Sequence, residues 1–180
     1  MFVLNINKEL SLALTMPYMA EEIFNLSIKN RDYLSKWMVW IESLKEVEDT
    51  KKFITSAIEN LAKEEMLLIS IIYKGEIVGN IDLHTIDKKN QKASIGYWLD
   101  YEHYGKGLMS KALKRLWEYA FSELNLNKLI ILCDVENIKS CNVAKRVGFK
   151  REALLKEELI VNKEARDFYR YTLFKRDFNL

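Results

Sequence analysis

The chain changes hydrophobic period several times along its length, and each change marks a predicted element. Leu10, Leu12 and Leu14 alternate with Ser11 and Ala13, which predicts a first strand. From Pro17 to Asn30, Met19, Ile23 and Leu26 share one helical face, and Pro17 sits near the helix start, where its missing N–H costs no bond. Asn30 to Trp40 predicts a second short helix, followed by a polar connector. Phe53, Ile54, Ala57, Ile58 and Leu61 then form a helical stripe across Glu48 to Glu64.

Beyond that helix the period falls to two. Met66 to Tyr73 is a continuous apolar run ending at the turn signal Lys74-Gly75-Glu76. Ile77 to Ile86 alternates, with Ile77, Ile81 and Leu83 on one face and Asn80, Asp82 and His84 on the other. Asp87 to Asn90 turns the chain into Lys92 to Leu99, completing an antiparallel meander of three strands. A helix begins after Gly107, with Met109, Leu113, Leu116, Ala120 and Leu124 on its apolar face. Lys128 to Val135 predicts a buried strand and Ile138 to Val147 a short helix. Phe149 to Val161 and Glu164 to Lys175 are final strands joined at Asn162-Lys163. This order predicts an α+β fold: a mixed, mainly antiparallel central sheet of about seven strands flanked by helices. With a single proline, six glycines and no break in composition or repeat, residues 1–180 are expected to form one domain.

Composition narrows the function classes. The formal charge is +2 with acidic and basic residues interspersed, so no basic field argues for direct nucleic-acid binding. Cys133 and Cys141 read as reduced thiols rather than a disulfide framework, which suits the cytoplasm. Residues 1–15 lack a signal peptide's apolar core, and no run reaches membrane-spanning length. A cytoplasmic protein with no membrane partner and no metal is expected.

Candidate chemistry concentrates after the third meander strand, in Tyr104-Gly105-Lys106-Gly107-Leu108-Met109. A helix start flanked by glycines leaves backbone N–H groups pointing at one spot, with the positive end of the helix dipole behind them. Lys106, Lys111, Lys114 and Arg115 add positive charge where the dipole disfavours it by roughly 0.3–1 kcal/mol each, and an external anion would account for them. The plain alternative is a simple turn beside a solvated lysine face. The loop lacks the Gly-Lys-Ser/Thr of a Walker A motif and the third glycine of the dinucleotide fingerprint.

Three antiparallel strands, the last running through the glycine loop into a helix, resemble the acetyl-CoA-binding core of the GNAT N-acetyltransferase superfamily, whose loop pattern is Gln/Arg-x-x-Gly-x-Gly/Ala. Gly107 fits this pattern, whereas Tyr104 stands where the family usually has Gln or Arg, and Met109 where it has Gly or Ala. Asn137-Ile138-Lys139-Ser140 and Val143 to Phe149 are similar to the family's second signature. Over nearly the whole chain the similarity is to the ribosomal-protein N-terminal serine/alanine acetyltransferase branch. It is carried by Trp37, Gly96-Tyr97-Trp98-Leu99, Gly105-Lys106-Gly107, Asn137 with Ser140, and Gly148-Phe149.

The resemblance implies acetyl-CoA as cosubstrate. Its acyl arm would lie beside Trp98, Leu99 and Asp100, and its pyrophosphate over Tyr104, Gly105, Lys106, Gly107, Leu108 and Met109. Ser110 would add a hydroxyl, Asn137 would bond the arm, and Lys145 or Arg146 would reach the adenosine 3′-phosphate. Asn137 is equally a favoured helix cap, and the two roles can coexist. Many family members place a tyrosine acid seven residues after the Asn; this chain has Ala144 there. Ser140 matches the acid proposed in the branch and reads as a hydrogen-bond donor to the departing thiolate, or else as an ordinary polar residue of a first helical turn.

The general base is less determined. Phe149, Ala153, Leu155, Leu159 and Val161 share one strand parity and Glu157 falls among them, where desolvation would raise its pKa. A bulge would exchange Glu157 for Glu158; Asp82, His84 and water are the alternatives. Tyr33, Trp37 and Trp40, with His84, are candidate acceptor contacts, although aromatics at this spacing suit a core equally well. The acceptor implied by the branch is a ribosomal protein's N-terminal Ser or Ala, and the branch also implies a homodimer. A polyamine or aminoglycoside acceptor and a catalytically silent acyl-CoA-binding module are the competing readings.

Overall fold

In a computed structural model, which describes residues 3–178, eight strands form one sheet. They are β1 (Val3–Asn5), β2 (Leu10–Leu14), β3 (Leu67–Tyr73), β4 (Glu76–Asp87), β5 (Lys92–Leu99), β6 (Lys128–Asp134), β7 (Lys150–Val161) and β8 (Glu164–Phe174). Their spatial order is β1-β2-β3-β4-β5-β6-β8-β7, and every neighbouring pair is antiparallel except β5 with β6. The strand beyond the expected seven is β1, which is too short to carry a period of its own.

Six helices cover the two faces: α1 (Ala20–Lys29), α2 (Arg31–Leu34), α3 (Trp40–Ser43), α4 (Val47–Ala62), α5 (Leu108–Ser122) and α6 (Ile138–Arg146). None is long and apolar enough to cross a membrane. Strand alternation sends neighbouring residues into two separate cores. Leu12, Ile69, Ile81, Ile95 and Ile131 pack with Leu113, Leu116 and Ala144 of α5 and α6. Ala13, Leu68 and Trp98 pack with Ile23, Leu34, Ile41 and Ile54 of α1 to α4. Covered on both faces, β3 has no reason to alternate with polar residues, which explains its continuous apolar run. Its buried Ser70 is satisfied by Thr15, at 2.7 Å, and by Asn80.

Two expectations change. The predicted helix from Asn30 to Trp40 is split into α2 and α3, separated by a turn. Arg31 reaches the Leu44 carbonyl and Trp40 packs against Trp98, so tertiary contacts fold the segment back on itself. On β4, Ile77 does not share a core with Ile81 and Leu83 but joins the opposite one. A register shift places Ile72 opposite Ile77 and Ile71 opposite Gly79, leaving Val78 as the extra residue. Gly79 suits this bulge because a Cβ there would lie 2.3 Å from the Trp98 carbonyl oxygen.

Past β5 the chain is anchored by a buried carboxylate. Asp100 accepts hydrogen bonds from Asn30 Nδ2 at 3.0 Å, Lys29 Nζ at 3.2 Å and His103 Nδ1 at 3.0 Å. Asn30 Oδ1 in turn accepts from the Tyr101 backbone N–H. Burial pushes the Asp100 carboxyl up, but its three donors outweigh burial and hold it below the ordinary carboxylate value. The ionised form therefore adds stability above the unfolded-state pKa near ~4, and that stability is lost as pH falls through the lowered native value. Asp100→Ala is expected to cost about 3 kcal/mol in urea unfolding at neutral pH, since it removes the buried acceptor of Asn30 and His103 and leaves Lys29 with Glu102 alone. The gap between the two proteins should narrow below about pH 4; a pH-independent gap would show that the carboxylate's charge is not what matters.

Candidate active site

The parallel pairing of β5 and β6 covers only Lys92, Ala93 and Ser94 against Lys128, Leu129 and Ile130. Beyond this point the two strands diverge around a cleft of about 980 Å³. One wall is Ile95 to Leu99; the other is Ile131 to Asp134 with the start of α6. The lining draws on both cores, with Leu108, Met109 and Val143 from one side and Leu34 and Trp98 from the other. The cleft thus runs through the sheet.

At its α5 end, Gly107 holds φ 72° and ψ 9° as the helix N-cap, and no side chain caps that terminus. A Cβ on Gly105 or Gly107 would meet nothing within 4 Å, so the backbone faces open space. Arg146, at the last turn of α6, donates from Nη1 to Ser110 Oγ at 3.1 Å and brings a cation beside the first turn of α5. Helix start, glycines and guanidinium together suit a phosphate. Tyr104 turns inward: its hydroxyl bonds that of Tyr33, its ring meets the Tyr33 ring edge-on at 5.5 Å, and burial pushes its pKa up to about 12.

A second polar cluster bridges the diverging strands. Asn137 Oδ1 caps α6 by accepting from the Ser140 backbone N–H at 3.1 Å. Ser140 Oγ donates to the Tyr97 hydroxyl at 3.0 Å, and Tyr97 donates to the Ser140 carbonyl at 3.1 Å. Cys133 Sγ lies 3.3 Å from Ser140 Oγ. Burial and the neighbouring Cys133 push the Tyr97 hydroxyl well above its ordinary pKa. The hydrogen bond with Cys141, together with burial, does the same for the Cys133 thiol.

Most of the residues picked from sequence come together here. Tyr33, Trp37, Trp98, Leu99, Tyr104, Gly105, Gly107, Leu108, Met109, Ser110, Asn137 and Ser140 all line the cleft. The others lie elsewhere. Asp100 is beneath the loop, Trp40 is behind Trp98, and Lys106 Nζ stands 6.0 Å from the Tyr73 ring. Lys145 is exposed on α6, and its neighbour Arg146 is the cation that faces the cleft.

Two expectations are corrected. Glu157 was expected on the apolar face of β7, yet β7 shifts register between Arg151 and Ala153 and again between Leu155 and Leu159. Glu157 falls in the second shift, exposed, with φ 50° and its backbone N–H bonded to Asp167. The bulges break the parity on which its placement rested, and Glu158 beside it is exposed as well. His84 bonds Asp82 Oδ1 at 2.6 Å on the surface of β4, and neither residue reaches the cleft. The carboxylates that do line it are Asp134 and Glu136, both paired with Arg166 of β8, at 3.1 and 2.6 Å. Tyr97 and Arg146 also line the cleft, although the sequence marks Tyr97 only as part of the family resemblance and Arg146 only as the alternative to Lys145. Tyr97 carried one usable signal: its place on the strand that leads into the glycine loop.

The family model of the acetyltransferase (GNAT) domain matches residues 14–150. YdaF of Bacillus subtilis, provisionally named a ribosomal N-acetyltransferase, is 34% identical over 179 residues, covering 99% of this chain and 98% of that protein. The ribosomal-protein-serine acetyltransferase of Escherichia coli is 31% identical over 140 residues, 78% of each chain. Among solved structures, the ribosomal L7/L12 α-N-protein acetyltransferase RimL in complex with coenzyme A superposes with a TM-score of 0.94 at 25% identity, covering 96% of this chain and 98% of that one. The chain belongs to the GNAT acetyltransferase family. It is an N-acetyltransferase, and acetyl-CoA is its cosubstrate.

Gly107→Val tests the phosphate cradle. A β-branched residue at positive φ stores about 1–3 kcal/mol of strain and fills the open side of the helix start. The Kd for coenzyme A in titration calorimetry should rise tenfold or more while the far-ultraviolet dichroism stays unchanged; unaltered affinity would remove the pyrophosphate from this loop.

Proposed function

We propose that the enzyme acetylates the free α-amine of a protein that begins with Ser or Ala, specifically a ribosomal protein, by direct attack in a ternary complex. The observation that carries this reading is the likeness, over nearly the full length of both chains, to an acetyltransferase of ribosomal L7/L12. The cleft's charges agree with a single-amine acceptor. A polyamine needs carboxylates free to meet several ammonium groups, whereas Asp134 and Glu136 are already committed to Arg166. Lys36 and Lys139 also line the opening, which disfavours a polycation further.

Acetyl-CoA supplies an activated acyl group on a thiol leaving group. We assign its pyrophosphate to the backbone of Gly105 to Met109 and to Ser110, with Arg146 in place of Lys145 as the phosphate-facing cation. The arm lies along the β5 edge at Trp98 and Leu99, whose outward groups lack a strand partner on the β6 side. Asn137 orients α6 and so carries Ser140 to the acyl end. Ser140 donates its hydroxyl hydrogen to sulfur as negative charge gathers there. Tyr33 and Trp37 form the acceptor wall. With Glu157 and His84 outside the cleft, the amine's proton leaves through water on the acceptor side.

Thiol release from acetyl-CoA, followed across peptides beginning with Ser, Ala or Leu together with spermidine and an aminoglycoside, tests the acceptor. Ser- and Ala-initiated peptides should react fastest; a preference for spermidine or the aminoglycoside would overturn the assignment. Coenzyme A binding with no accelerated release by any amine would favour the binding-module reading. Ser140→Ala should lower kcat about 100-fold and leave the Kd for coenzyme A within about twofold.

A further inference from the structure

We propose that Tyr97 is a positioning residue for acyl transfer, its hydroxyl fixing where the Ser140 hydroxyl stands before it turns to the departing sulfur. The inference rests on the role assigned above to Ser140 and extends it to a residue on the opposite wall of the cleft.

Counting protons fixes the order of donors. Ser140 Oγ has one hydrogen, which it gives to Tyr97 at 3.0 Å. Tyr97 has one hydrogen, which it gives to the Ser140 carbonyl at 3.1 Å. Cys133 Sγ, 3.3 Å from Ser140 Oγ, packs against the same hydroxyl. The chain of donors runs from Ser140 Oγ to Tyr97 and back to the Ser140 backbone. Burial makes Tyr97 hold its proton more tightly than usual, so the order persists across the working pH range.

This arrangement sits where β5 and β6 no longer pair, since their last partners are Ser94 and Ile130. Tyr97 reaches from β5 to α6 across that opening. Its bond to the Ser140 carbonyl holds the first turn of α6 in place, and its oxygen gives the serine hydroxyl a resting partner. During transfer the C–N bond forms and the C–S bond breaks, with the electron pair going to sulfur. The Ser140 hydroxyl then turns from neutral Tyr97 to the anionic thiolate, exchanging an ordinary hydrogen bond for a charge-assisted one. No proton leaves Tyr97. Its part is orientation, which is worth large factors in rate when the donor must be aimed at one atom.

Tyr97→Phe keeps the ring and deletes the hydroxyl. In single-turnover measurements with acetyl-CoA and the fastest peptide, its rate should fall about 10- to 100-fold. The Kd for coenzyme A should stay within about twofold. The deciding measurement is a double-mutant cycle with Ser140→Ala: in that background, Tyr97→Phe should change the rate less than twofold. A residue that merely braces the cleft would slow both backgrounds equally and weaken coenzyme A binding, and either result would overturn the proposal. Should no amine prove to be an acceptor, the slow release of thiol from acetyl-CoA in water serves as the rate in the same cycle. Failure of the acceptor assignment then remains separate from failure of this one. A Ser140→Ala enzyme of full activity would reject both the donor role and the part given to Tyr97.

Discussion

One parallel pairing abandoned after three residues organises this molecule. β5 and β6 bond at Lys92 to Ser94 against Lys128 to Ile130 and then part, while all other neighbouring strands remain antiparallel. Backbone groups withdrawn from a ladder must find other partners, and a ligand that can bond like a strand is one of them. Everything assigned a role in transfer borders the opening. The glycine loop continues β5, Ser140 opens the helix that follows β6, and Tyr97 spans the space between. The two cores hold the opening apart from either side, because α5 and α6 pack on one face and α1 to α4 on the other.

Long-range polar contacts keep the rims of this opening in register. The β5 rim is tied to α1 through Asp100, Asn30 and Lys29, residues 70 or more positions apart in the chain. The β6 rim is tied to β8 through Arg166, which meets Asp134 and Glu136 together. Each contact joins the end of a strand to an element that does not neighbour it in sequence. Rigid rims matter because hydrogen-bond donors serve catalysis only when already aimed.

The parts legible in the sequence are those whose signal is local. Strand and helix periods outside the split Asn30–Trp40 segment, the glycine-flanked start of α5 and the Asn137 cap depend on neighbours within a few positions, and the structure agrees with them. The parts missed depend on register. Two shifts in β7 moved Glu157 out of the apolar face, and one in β4 moved Ile77 into the other core. A bulge inserts a single residue and leaves almost no compositional trace, yet it inverts every parity argument downstream. Tyr97 was hidden for another reason: its partner lies 43 residues away, and only the divergence of the strands brings them together. Arg146 and Lys145 are adjacent cations that composition cannot separate, and the pitch of α6 alone decides which faces the cleft.

The cleft's passage through the full thickness of the sheet bears on the order in which ligands come and go. A pocket with a single mouth makes the first arrival block the second, and the first product block the last. Here the lining reaches from the α5–α6 side to the α1–α4 side, so a donor and an acceptor held as proposed above would approach from opposite faces. Neither need wait in a queue for the other. With the acceptor proposed above, the spent thiol would depart without displacing the acetylated product, and a bulky acceptor would stay docked while the donor is exchanged.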